Sequence, residues 1–158
     1  MKNLLVIFIA YIISTFSLYS QSKVIHGRII SEFLETMPGV SITNNDSVEI
    51  GKTDLDGFFK IDIPVSVKKI LFKSVGLEPT TIELGDNCGE VEIVMMLSGT
   101  YDFTTFKKVD RLRKRKFKKL PGLHKKAFNK AIFKTDKACY TQDFICYHTK
   151  RRIGNVPN

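Results

Sequence analysis

Between Lys23 and Leu97 apolar residues recur at every second position in short bursts, the period at which an extended chain points successive side chains to opposite faces. Ile25, Gly27 and Ile29 share one face of a first strand, and Val40 with Ile42 marks a second after Pro38-Gly39. A third strand precedes Thr53, and in a fourth Phe59, Ile61 and Ile63 face inward while Phe58, Lys60 and Asp62 face out. Ile70, Phe72 and Ser74, then Thr80, Ile82 and Leu84, then Val91, Ile93, Met95 and Leu97 complete about seven strands in roughly 75 residues. Turn residues punctuate them: Asn44-Asn45-Asp46-Ser47 is one cluster. Asp54, Asp56 and Gly57 form another, with Asp56-Gly57 a hairpin signal because glycine accepts a positive φ. No helical period competes, so the pattern predicts a mainly β body, a seven-stranded antiparallel sandwich of two facing sheets.

Periodicity changes after Ser98. A helix from Asp102 to Leu120 places Phe103, Phe106, Val109, Leu112, Phe117 and Leu120 along one broad apolar side. Lys107, Lys108, Arg111, Lys114, Arg115, Lys118 and Lys119 gather opposite them. Pro121-Gly122 is expected to break the chain, and Leu123 to Phe133 resumes with Ala127, Phe128, Ala131 and Ile132 as a second apolar patch. The prediction is a small, basic, α-helical extension. Either its apolar sides pack on the body and its lysines form a solvated face, or the stripe binds something.

Charge divides the chain at the same place. Lys23 to Ser98 carries 7 Lys/Arg against 12 Asp/Glu, whereas Gly99 to Asn158 carries 17 against 4, so the overall +9 conceals an acidic body and a basic extension. The amino-terminal stretch is of a third kind. Lys2 precedes ten unbroken apolar residues, Leu4 to Ile13, which Ser14-Thr15 interrupts before Ser17-Leu18-Tyr19-Ser20, and this reads as a secretory signal peptide over residues 1–20. A spanning helix needs about 20 apolar residues. The organisation expected is therefore leader 1–20, β domain 23–98 and basic extension 99–158, in a protein of the periplasm, the outer membrane or the secreted fraction.

Within the β region the order of motifs resembles the carboxypeptidase regulatory-like domain family. Gly27, Met37-Pro38-Gly39-Val40, Thr53-Asp54-Leu55-Asp56-Gly57-Phe58-Phe59-Lys60-Ile61 and Ser74-Val75-Gly76-Leu77-Glu78 carry the resemblance, which covers about residues 23–97. Leu77 stands where that family more often has an aromatic residue. The resemblance implies a transthyretin-like β-sandwich, a non-catalytic domain found beside zinc carboxypeptidases and at the amino terminus of TonB-dependent outer-membrane receptors. The enzyme's own signature is missing: His26, His124 and His148 are followed three residues later by Ile29, Ala127 and Arg151, so no H-x-x-E zinc motif exists.

Other chemistry is equally sparse. Asp54, Asp56 and Gly57 mimic part of a calcium loop, but Lys52 and Ile63 occupy the positions of its first and last ligands, and a turn in which Asp54 bonds nearby amides is the better reading. No G-x-S-x-G elbow appears. Of three cysteines, Cys139 and Cys146 are placed to close a short disulfide loop in an oxidising compartment. Buried free thiols are the other reading, and Cys88 reads as a loop or edge residue without a partner. No catalytic residue, metal or cofactor is expected. Export removes nucleic acid as a partner for the basic stripe and leaves an anionic membrane surface or an envelope protein. No small-molecule substrate is identified. The expected function is a non-enzymatic envelope interaction or accessory module. The alternative is an accessory subunit or hydrolase acting on envelope polymers.

Overall fold

A computed structural model describes residues 22–44 and 48–147. The expected leader, Asn45 to Ser47 of the turn cluster, and His148 lie outside the described residues. Eight strands and two helices occur among the described residues: β1 Ser22–Ser31, β2 Ser41–Thr43, β3 Glu49–Lys52, β4 Phe58–Pro64, β5 Lys69–Lys73, β6 Thr80–Leu84, β7 Glu90–Met95, α1 Phe106–Phe117, α2 Leu120–Asn129 and β8 Tyr140–Gln142.

The strands form two sheets, one ordered β4-β1-β7 and the other β3-β2-β5-β6-β8. Their alternation supplies one shared core. Ile25 and Ile29 of β1, Ile63 of β4 and Ile93 of β7 meet Ile42, Phe72 and Ile82 of the second sheet, none of them more than 1 % exposed. Burying each contributes roughly 1.5–3 kcal/mol against the chain entropy. β4 follows its expected alternation throughout, with Phe59, Ile61 and Ile63 buried and Phe58, Lys60 and Asp62 exposed.

Three expectations for the β region need correction. Seven strands, β1 to β7, do lie within the body, but the sheets hold an eighth, because β8 comes from the extension expected to be helical and pairs antiparallel with β6. The arrangement is not wholly antiparallel, since the first and last strands of the body, β1 and β7, pair in parallel with His26 opposite Glu90 and Ser31 opposite Met95. The Asp54–Gly57 turn is real but is not a hairpin within one sheet: β3 lies at the edge of one sheet and β4 at the edge of the other. Gly57, at φ +78°, takes the left-handed conformation, and a Cβ there would lie 2.5 Å from the Ile29 carbonyl oxygen. Both conditions require glycine.

A second core explains where alternation fails. Residues Val91 to Met96 of and after β7 are buried without a break, because the outer face of the three-stranded sheet is also covered. Ile30, Val94 and Met96 pack there against Leu120 and Ala127 of α2 and against Phe133. The two helices are joined only by Lys118 and Lys119. Pro121-Gly122 does not break the chain as expected. Pro121 sits in the first turn of α2, where its missing N–H would have had no intrahelical partner. No helix among the described residues is long and apolar enough to cross a membrane.

Candidate functional site: the basic helical face and the cleft beneath it

α1 is fixed by a buried charged cluster rather than by its aromatics. Arg113 donates from Nε to Glu78 Oε1 at 2.9 Å and from Nη2 to Glu78 Oε2 at 2.6 Å. Its Nη1 donates to Asp110 Oδ1 at 3.1 Å and to the Ile145 carbonyl at 2.9 Å. Asp110 Oδ1 also accepts the Tyr147 amide at 2.8 Å, and the Tyr147 hydroxyl donates to Glu78 Oε2 at 3.2 Å. The guanidinium lies 3.7 Å from the centre of the Tyr147 ring. Burial, assisted by the Glu78 charge, raises the Tyr147 phenol above its ordinary pKa, which keeps it a donor. A buried ion pair is tolerable only when its remaining donors and acceptors are met, as they are here.

The inward side of α1 is close to the expected one, but charged residues take most of it. Val109, Asp110 and Arg113 are the residues of α1 turned inward. Phe103, Phe106 and Leu112, assigned by period to the packed side, are exposed instead: α1 starts at Phe106 rather than Asp102, so Phe103 precedes it at φ +56°, Phe106 opens it, and Leu112 lies at the margin of the inward arc. The reason for charge on the inward side is energetic: the Glu78 carboxylate, buried in the body, must be paired, and Arg113 is the cation that reaches it.

Lys107, Lys108, Arg111, Lys114, Arg115, Lys118 and Lys119 are all exposed. At 100° per residue, Lys114, Lys107, Arg111, Arg115 and Lys108 occupy one continuous arc of α1. None of the seven forms an ion pair among the described residues, whereas Lys116, off the stripe, bonds Glu32 at 2.8 Å. The face is therefore cationic and held in place on a braced helix.

The segment after α2 is anchored as firmly. Glu92, on the outer face of β7, accepts from the Lys134 amide at 2.6 Å, the Thr135 amide at 3.0 Å and the Thr135 hydroxyl at 2.7 Å. Further on, Cys139 is bonded to Cys88 with their Cα atoms 5.4 Å apart. The expected Cys139–Cys146 bridge is thus incorrect: Cys146 is a free thiol, and Cys88 is the partner. β8 lies beside β6, so Tyr140 follows directly from the tethered Cys139, which brings the loop of Cys88 within reach. The Tyr140 hydroxyl then donates to the Glu92 carbonyl at 2.9 Å.

Between α1, α2 and β8 lies a cleft of about 650 Å³. Val94, Phe117, Leu120, Pro121 and Ala138 give it apolar walls, and Lys118, Lys125 and Lys137 border it with one acid, Asp136. His124 lines the same cleft, is 5 % exposed, and stacks on Phe133 with ring centres 4.9 Å apart. Neither of its ring nitrogens makes a hydrogen bond. Burial lowers its pKa, opposed by the charges of Glu92 and Asp136 and by their backbones, so the ring is neutral near pH 7.

The Asp54 turn behaves as a turn. Its Oδ1 accepts the Asp56 amide at 3.0 Å and the Phe58 amide at 2.8 Å, and no metal-binding cluster occurs among the described residues. Sequence reasoning missed Arg113, Asp110, Glu92 and His124. One signal was available: Asp110 is the sole acid between Phe103 and Thr135, a position that in so basic a run marks an internal pairing. No family model matches the chain, and no curated protein matches it.

Proposed function

We propose that this chain is an exported, non-enzymatic envelope module. A transthyretin-like β-sandwich of the carboxypeptidase regulatory-like type serves as its scaffold, and a braced basic helix is its contact surface. One observation carries the reading: seven exposed cations, unpaired among the described residues, five along α1 and Lys118 and Lys119 directly after it, are presented by a helix that a buried Arg113–Glu78 pair holds in place. A preorganised cationic face loses little side-chain and backbone freedom on meeting an anionic surface, and each cation near such a surface contributes about 1 kcal/mol. Export is supported by the Cys88–Cys139 bond, a kind that persists in oxidising compartments.

The mode of contact follows from the helix orientation. The inward side of α1 is committed to the body, so the helix is not free to bury an apolar face in the acyl layer, and attraction is mainly coulombic. β8 also occupies the edge of β6, so a partner adding a strand there is disfavoured. Sedimentation with anionic vesicles tests the proposal. Binding is expected at low salt and its loss at high salt, with neutral vesicles inert. Absence of binding at low salt would refute the membrane form of the reading and leave an acidic protein partner as its remaining form.

The hydrolase alternative draws on the cleft, where His124 and Asp136 share one wall. Its lining holds no serine, threonine or cysteine, so a hydrolase here would act through His124 and Asp136 on water or through a less common nucleophile.

A further inference from the structure

We propose that the cleft between α1, α2 and β8 is a binding site for a small anionic amphiphile, an alkyl chain ending in a carboxylate. Its volume of about 650 Å³ falls within the roughly 300–1,000 Å³ typical of small-molecule sites. The walls are those an alkyl chain requires: Val94, Phe117, Leu120 and Pro121 offer carbon surface and no donors. The rim has a charge preference. Lys118, Lys125 and Lys137 face a single opposing carboxylate, Asp136, so an anionic head is favoured over a neutral or cationic one.

His124 is the second, independent sign. Buried polar atoms are almost always hydrogen-bonded, and leaving one unmet costs about 1–3 kcal/mol. His124, at 5 % exposure on the wall of this cleft, has no partner of full hydrogen-bond geometry at either ring nitrogen, and only the backbones of Glu92 and Asp136 lie close enough to act on it. A neutral imidazole presents one N–H and one lone pair, and a carboxylate accepts from the first once the ring turns toward the cleft. Phe133 supplies the ring contact on the other side. The body therefore holds this polar ring only loosely, which leaves it available to an anionic head in the cleft. This site is separate from the outward stripe on α1, with only Lys118 common to both.

The test is a titration of the protein in its exported form with dodecanoate, dodecanol and acetate, all below micellar concentration, read by calorimetry and by the imidazole NMR signals of His124 assigned against His124→Gln. Dodecanoate should saturate and shift the His124 signals, dodecanol should bind at least about tenfold more weakly, and acetate should not saturate. The paired variant Lys125→Gln and Lys137→Gln should bring dodecanoate down to the affinity of dodecanol with no change in melting temperature. Substituting Lys107 and Arg111 on the stripe should leave dodecanoate binding intact, which separates this site from vesicle binding. Equal binding of dodecanol and dodecanoate, saturation that leaves His124 undisturbed, or no saturable binding overturns the proposal. So does a His124 shift that depends on protein concentration alone, the mark of a second copy in the cleft.

Discussion

Arg113 of α1 and Glu78 of the β region, 35 residues apart in sequence, form a two-bond pair whose side chains are 6 % and 4 % exposed. The pair joins the basic extension to the acidic body, so the two oppositely charged regions fold as mutually dependent parts. Removing one member strands a buried charge, which typically costs about 3–5 kcal/mol, whereas replacing both by apolar residues of similar volume is often near neutral. Arg113→Met is therefore expected to lower unfolding stability by about 3–5 kcal/mol. The double variant Arg113→Met with Glu78→Leu should recover part of that loss, limited by Tyr147 and Asp110, which then lose a partner. Urea titrations of the single and double variants decide it; a double variant no more stable than Arg113→Met contradicts the account.

Thiol counting checks the disulfide. The chain has three cysteines, and the bond joins Cys88 to Cys139 with Cys146 free. Alkylation of the unfolded, unreduced protein should add one label, on Cys146, and alkylation after reduction three. A bond across 51 residues removes unfolded-state entropy worth about 4 kcal/mol in the loop-closure description. Cys88→Ser should accordingly lower stability by roughly 2–4 kcal/mol and detach β8 first. Cys146→Ser should change little. Peptide mapping that finds Cys139 joined to Cys146 would contradict the pairing.

What the sequence made legible was local. Alternation placed every residue of β4 correctly, and the Asp54–Gly57 turn could be read because one glycine and one carboxylate decide its geometry. Misreadings arose wherever a distant segment intervened. Val94 and Met96 looked like outward positions until α2 covered them, and the helical period extended to Phe103, which precedes α1, while leaving Arg113 and Asp110 off the packed side they share with Val109. A hydrophobicity pattern gives arginine no reason to be inside. Its reason lies at Glu78, in another element. The cysteines failed in the same way, since proximity in sequence favoured Cys146 while the antiparallel pairing of β8 with β6 delivered Cys139 to Cys88. His124 carried no motif at all; only its unbonded burial beside a cleft distinguishes it.

Gly27 is a packing requirement. A Cβ at this position would lie 2.0 Å from the Val91 carbonyl oxygen and 2.5 Å from the Phe59 ring. β1 is the central strand of its sheet, paired on both sides, so the backbone has nowhere to move. Gly27→Ala is expected to cost about 1–3 kcal/mol, the usual range for overpacking, despite alanine's lower unfolded-state entropy. Gly122→Ala serves as the control, because a methyl group added there would meet nothing within 4 Å. Thermal melts that rank the two variants the other way would disprove the close approach.

His124 should set the acid limit of stability. Burial lowers its pKa below the ordinary 6.5, with the charges and backbones of Glu92 and Asp136 opposing; Lys118, Lys125 and Lys137 line the same cleft. The sign follows from proton binding: below about pH 6.5 the unfolded chain takes up a proton that the folded ring resists, so acid favours unfolding. Stability is expected to be level above about pH 7 and to decline as pH falls through 6.5, until the folded ring is itself protonated. His124→Phe should flatten the profile between about pH 7 and 5, with a carboxylate-dependent fall retained below that. Urea midpoints measured across this interval for both proteins check it, and a wild-type profile identical to that of His124→Phe would show that the buried ring does not govern this transition.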